Sequence, residues 1–253
     1  MIMENYITQE QALSIVEEFK NELLTQDCDH LLAIYLIGSL GGGYYRPGQS
    51  DIDTILIVKD NAVLTQETAE EIAAIYQERY HVPKGFGAVL IYEKELFPPY
   101  IKSEAEEFEF SVEIARLKTQ GRLFYGSYSL DHIPMPTKDH LIKDAKIMEN
   151  WFSSVFGYPM YDQLDTVSCI NTILLQMRRF LMIQHGVFEF NKFQTIPAYL
   201  QHSPTVTDDL VFSFIDDYLH GNARETPQSL EMLRRFGQKL SDSNNRTLLG
   251  MNL

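Results

Sequence analysis

The chain has 253 residues, enough to bury a full core in one large or two modest domains. Its formal net charge of −14, from 21 basic against 35 acidic side chains, argues against a nucleic-acid substrate, whose phosphate backbone needs clustered Lys and Arg, and is permissive for a cationic acceptor. The apolar stretches fall far short of a membrane span, Met1-Ile2-Met3-Glu4-Asn5-Tyr6 does not read as a signal peptide, and Cys28 and Cys169 lack disulfide or zinc spacing, so a cytoplasmic protein with two reduced thiols and no membrane partner is expected.

Thr8-Gln9-Glu10-Gln11 reads as a capping box that opens an amphipathic helix with Leu13, Val16, Phe19 and Leu23 on one face. The apolar run Leu31 to Ile37 predicts a buried strand, and a second run at about 51–58 predicts another. A helix is expected from Thr68, with Ile72, Ile75 and Tyr76 inward, followed by a third strand over Gly87 to Tyr92. The stretch from Lys102 to Glu113 is strongly acidic, and Asp131-His132-Ile133-Pro134-Met135-Pro136 is a proline-broken link that marks a boundary between residues 1–130 and 131–253. Beyond it the pattern is helical. The expected helices are 144–156 with Ile147, Trp151 and Val155 on one face, 162–185 stopped by Gly186, one carrying Leu210, Phe214 and Leu219, and one started by Thr226-Pro227. The fold class implied is α+β, a small mixed sheet with helices followed by a helical bundle.

The first strand ends in Gly38-Ser39, and after Leu40-Gly41-Gly42-Gly43 the chain re-enters an apolar run through Ser50-Asp51-Ile52-Asp53. On a strand, Asp51 and Asp53 project from one face. Two carboxylates beside glycine-exposed amides can hold a divalent cation against a polyphosphate.

Gly38-Ser39 followed by Ser50-Asp51-Ile52-Asp53 resembles the nucleotidyltransferases of the DNA polymerase β superfamily, and among them the small-molecule members such as the aminoglycoside nucleotidyltransferases. The resemblance is strong over residues 31–58 and continues to the C-terminus only in the order and length of segments. It implies that Gly38 and Ser39 contact the triphosphate of ATP or another nucleotide, and that Asp51 and Asp53 ligate Mg2+. It further implies transfer of AMP to a hydroxyl of a small molecule, with an aminoglycoside-like acceptor as one case. A homodimer is implied by analogy with kanamycin-type relatives alone.

The family's third carboxylate belongs early on the third strand, where this chain has Gly87 and Ala88. Glu107, Glu109 and Glu113 are the acids that follow; they either fold back into the site, with Glu109 as the catalytic candidate, or line a solvated helix face. Glu149 is a further candidate base, drawn from the corresponding region of the kanamycin-type relatives. Lys192 reaches the triphosphate if it follows several relatives, and is otherwise an exposed lysine. Arg178 and Arg179 are expected to face solvent, and Tyr44 and Tyr45 either stack on a base or pack. The missing acid also leaves open an alternative, a catalytically degenerate nucleotide-binding protein acting as a regulator or antitoxin-type partner.

Overall fold

The computed structural model describes residues 6–82, 84–102, 109–157 and 160–251. Of the acidic stretch between Lys102 and Glu113, Glu104, Glu106 and Glu107 lie outside the described residues, as do Met1 to Asn5. The chain divides into two compact units, residues 1–106 with 113–135 and residues 107–112 with 136–253.

In the first unit, helix α1 (Gln9–Asp27) opens on the capping box read from the sequence. Thr8 Oγ1 accepts from the Gln11 amide at 3.2 Å, and Gln11 Oε1 accepts from the Thr8 amide at 2.8 Å. Strands β1 (Leu31–Ile37) and β2 (Ile52–Val58) pair antiparallel, because the connection between them is short enough to fold straight back. Helix α2 (Gly38–Gly41) is a single turn in that connection, and helix α3 (Gln66–Tyr80) is the crossover that lets β3 (Phe86–Tyr92) lie parallel to β2. Helix α4 (Phe110–Gln120) then leads to β4 (Arg122–Gly126), antiparallel to β1, and completes a mixed sheet of order β3-β2-β1-β4.

Alternation along β2 sorts its two faces. Ile52, Leu56 and Val58 enter one core with Phe19 and Leu23 of α1, Ile34 and Leu36 of β1 and Tyr76 of α3. Each fully buried side chain of this kind stabilises the unit by about 1.5–3 kcal/mol. Asp53, Ile55 and Ile57 therefore belong to the other face, which is where the polar chemistry of β2 must sit. Helix α3 differs from expectation in two ways. Its N-cap is Thr65, whose Oγ1 accepts from the Thr68 amide, and Ile75 is 54% exposed while Ile72 and Tyr76 are buried.

The second unit is built from helices α5 (Lys138–Phe156), α6 (Thr166–Phe180), α7 (Thr195–Gln201), α8 (Asp209–Leu219) and α9 (Pro227–Thr247). The long expected helix over 162–185 is broken at its start. Met160–Gln163 form a 3-10 turn, and α6 begins after Asp165, whose carboxylate caps the Ser168 amide at 2.7 Å. It continues as a π-helical turn, Leu181–His185, and stops at Gly186 as expected. Ile170, Ile173, Leu174 and Met177 of α6 pack with Val211, Phe212 and Ile215 of α8 and Leu233, Phe236 and Leu240 of α9.

The inward face of α5 is not the expected one. Leu141, Asp144, Ala145 and Glu149 are buried, and Val155 is exposed. The reason lies across the unit, in Arg179 of α6, which is fully buried instead of facing solvent. Its guanidinium bonds Glu149 and Glu109 together. Gln176 and Asn245 complete the Glu149 carboxylate at 2.8 and 3.1 Å. A buried charge persists only when paired and hydrogen-bonded, and Arg179 meets that condition through Nε and Nη1, while its Nη2 and Asn245 Oδ1 have no hydrogen-bond partner among the described residues.

Candidate active site

Gly38 and Asp53 build the site by close approach. Asp53 pairs with Ile37, the last residue of β1, and so comes to lie against the turn that follows. Gly38 has φ +61°, and a Cβ there would stand 2.5 Å from Asp53 Oδ2. No side chain fits between the turn and the carboxylate. Gly41 is required for a similar reason, since its Cβ would lie 2.2 Å from the Leu36 carbonyl oxygen. The turn is closed by Gly42 N donating to Gly38 O at 2.9 Å and Tyr44 N donating to Ser39 O at 3.0 Å. Ser39 is 7% exposed, and its Oγ has no hydrogen-bond partner among the described residues.

On return, the chain is fixed by Ser50. Its amide donates to Arg46 O and its Oγ accepts from Arg46 N, both at 3.0 Å. Asp51 follows, then Asp53 on β2. Across the parallel pair, Asp53 stands beside Gly87 of β3. A Cβ at Gly87 would lie 3.0 Å from Asp53 Oδ1, so the two oxygens of Asp53 are bordered by glycine on both sides. Ala88 faces the apolar core instead.

Two residues of α4 complete the cluster. Arg116 Nη2 lies 3.3 Å from Asp53 Oδ2, and Arg116 Nη1 lies 3.6 Å from Glu113 Oε1. Burial raises the Asp53 pKa, and the like charges of Asp51 and Glu113 add to it against the opposing effect of Arg116, taking it to about 6. Burial acts against the charge of Arg116, but Glu113 and Asp53 more than offset it and hold its pKa above the ordinary value.

Gly38, Ser39, Asp51 and Asp53 thus lie in the first unit around one turn. Glu109 and Lys192 belong to the second unit: Glu109 is bonded to Arg179, and the Lys192 ammonium lies 5.4 Å from the centre of the Phe193 ring. Glu149 is likewise committed to Arg179. Tyr45 packs, buried, with its hydroxyl on Ile7 O at 3.2 Å, while the Tyr44 ring lies against Gly42. Arg116 lies outside both halves of the sequence motif. The available signal was its i,i+3 spacing from Glu113 at the end of the acidic stretch.

Among the described residues no group of three His, Cys, Asp or Glu side chains is arranged to hold a metal ion, and no helix is long and apolar enough to cross a membrane. The donors at Asp51 and Asp53 are hard carboxylate oxygens, the kind magnesium takes one or two at a time while keeping water and phosphate as its other ligands. The pair fits such an ion when a phosphate supplies the remaining donors.

A four-stranded mixed sheet flanked by helices, followed by a helical unit, is the nucleotidyltransferase fold. Spectinomycin adenyltransferase AAD(9) from Enterococcus faecialis, solved with ATP and spectinomycin, is similar over 92% of this chain and 99% of its own, with a TM-score of 0.66 and 16% identity. A toxin–antitoxin structure with AMP-PNP matches 53% of this chain and 86% of its own at 19% identity, and its TM-score of 0.31 is too low to bear on the fold. No family model and no curated protein sequence matches the chain.

Proposed function

We propose that the protein transfers a nucleoside monophosphate, AMP from ATP, to a hydroxyl group of a small molecule. The observation that carries this reading is the contact of Asp53 with Gly38, which brings the two halves of the motif to one point with no side chain between them. In the reaction the acceptor oxygen attacks the α-phosphorus, the bond to the bridging oxygen breaks, and pyrophosphate leaves with the electron pair. Asp51 and Asp53 would hold magnesium, which when bound neutralises charge on the phosphate oxygens. Gly38 allows the phosphates to approach the backbone, and Ser39 offers its amide and its buried Oγ. Glu113, whose charge already bears on Asp53, takes the proton of the acceptor, a role worth roughly 10²–10⁴ in rate. Lys192, in the second unit, stays a candidate for the triphosphate; Glu109 is the weaker candidate base because Arg179 holds it.

Gly87 supports a second reading, a nucleotide-binding protein that does not transfer, because the position beside Asp53 carries no acid. Calorimetric titration with ATP, with and without magnesium, followed by an acceptor screen that begins with spectinomycin and reads pyrophosphate release, separates the two. Magnesium-dependent binding lost in Asp53→Asn with pyrophosphate release supports transfer. Binding without release from any acceptor supports the second reading, and no nucleotide binding overturns both.

A further inference from the structure

We infer that Arg116 is a stand-in cation that holds Asp53 until a nucleotide arrives and then pairs with the phosphates of that nucleotide. The inference rests on the nucleotide site proposed above and adds to it a residue outside both halves of the motif. Arg116 comes from α4, yet its Nη2 is within 3.1 Å of the place a Cβ would occupy on Gly38. The guanidinium therefore sits at the same turn that approaches Asp53. Its side chain is 25% exposed, so a ligand can reach it.

Its present partners hold it loosely. A charge-assisted N–H to carboxylate bond is normally about 2.7–2.9 Å long. Arg116 has one contact to Asp53 at 3.3 Å and one to Glu113 at 3.6 Å, the latter beyond hydrogen-bond distance. Arg116 is planar with five donors and matches phosphate in a two-bond fork, which neither carboxylate receives from it here. The second observation is Ser39. Its Oγ is buried beside this turn with no partner among the described residues, and a buried hydroxyl without a partner is costly unless a ligand completes it. A guanidinium and an unpartnered hydroxyl on one glycine turn describe a site for a phosphate group. Asp53, released from Arg116, then has both oxygens for a cation.

The inference makes two affinities move in opposite directions when the guanidinium is removed. Arg116→Gln should bind Mn2+ alone more tightly, by about threefold or more, because a competing positive charge has left Asp53. The same variant should bind α,β-methylene ATP with magnesium about 10–100-fold more weakly, because the phosphates lose a paired charge. Arg116→Lys, which keeps the charge but not the fork, should fall between parent and Arg116→Gln in both. Mn2+ is read by the paramagnetic resonance of the unbound ion and the nucleotide by calorimetry. Two affinities that fall together, or a nucleotide affinity unchanged in Arg116→Gln, would overturn the inference and make Arg116 a structural residue. A parent protein that binds no nucleotide at all would instead overturn the functional reading on which the inference rests.

Discussion

Gly87 stands directly beside Asp53 in the parallel pair of β3 with β2, on the face of the sheet that the glycine turn also reaches. A side chain placed there would begin 3.0 Å from Asp53 Oδ1, which can yield because it is the end of a short mobile group. Gly87→Asp is therefore expected to fold, and to crowd a third carboxylate against two. At pH 7.5 without metal its melting temperature should fall, and millimolar Mn2+ should restore it, since like charges in contact favour a shared cation. A variant that melts like the parent and gains no Mn2+ affinity would show that position 87 does not face the pair.

Asp53 itself works against stability. Its pKa stands at about 6 in the folded chain against an ordinary 3.8, chiefly from burial and then from Asp51. A carboxyl that binds its proton more tightly when folded favours the fold at low pH, and that benefit is lost as pH rises from about 4 to about 6. Above pH 6 the charged form costs up to about 3 kcal/mol. Asp53→Asn should accordingly raise the melting temperature of the metal-free protein at pH 7.5 and match the parent near pH 4. Equal melting of the two proteins across that range would remove the assigned shift.

The geometry of the glycine turn and Asp53 is legible in the sequence because it is local. A glycine that ends one strand and an Asp-X-Asp that begins the next need only the period of a strand to share a face, and the antiparallel pair of β1 with β2 joins them. What lay outside local pattern was read less well. Helix α8 is apolar on several sides, so Leu210, 75% exposed, looked as fit for the core as Val211, Phe212 and Ile215, which occupy it. Arg179 looked like a surface residue because its two acids are 70 and 30 residues away in sequence. Arg116 is hard to find in the sequence for the same reason, since Asp53 lies 63 residues before it. Phe110 to Val112 group with the second unit although the rest of α4 groups with the first, a division no composition change marks.

The Arg179 network should be costly to break and cheap to replace as a whole. Arg179→Met leaves Glu109 and Glu149 without their cation, Glu149 being almost fully buried, and should destabilise the protein by about 3–5 kcal/mol in urea unfolding. Adding Glu109→Gln and Glu149→Gln to Arg179→Met removes the stranded charges and should recover most of the loss. If the triple variant is no better than Arg179→Met, the network contributes packing and not charge pairing.

Tyr161 offers the opposite case, a polar atom whose removal should help. It is fully buried, and its hydroxyl has no hydrogen-bond partner among the described residues. Its ring lies on Gly237 of α9, so close that a Cβ there would stand 2.1 Å from the ring. The ring is what the packing uses, and the hydroxyl gives up hydration without replacement. Tyr161→Phe should leave stability unchanged or raise it by about 1 kcal/mol. Gly237→Ala should lower it by about 1–3 kcal/mol, because the ring must move within a filled core. A clear loss of stability in Tyr161→Phe, measured by urea unfolding, would mean that the hydroxyl is bonded after all, to a buried water or to a group outside the described residues.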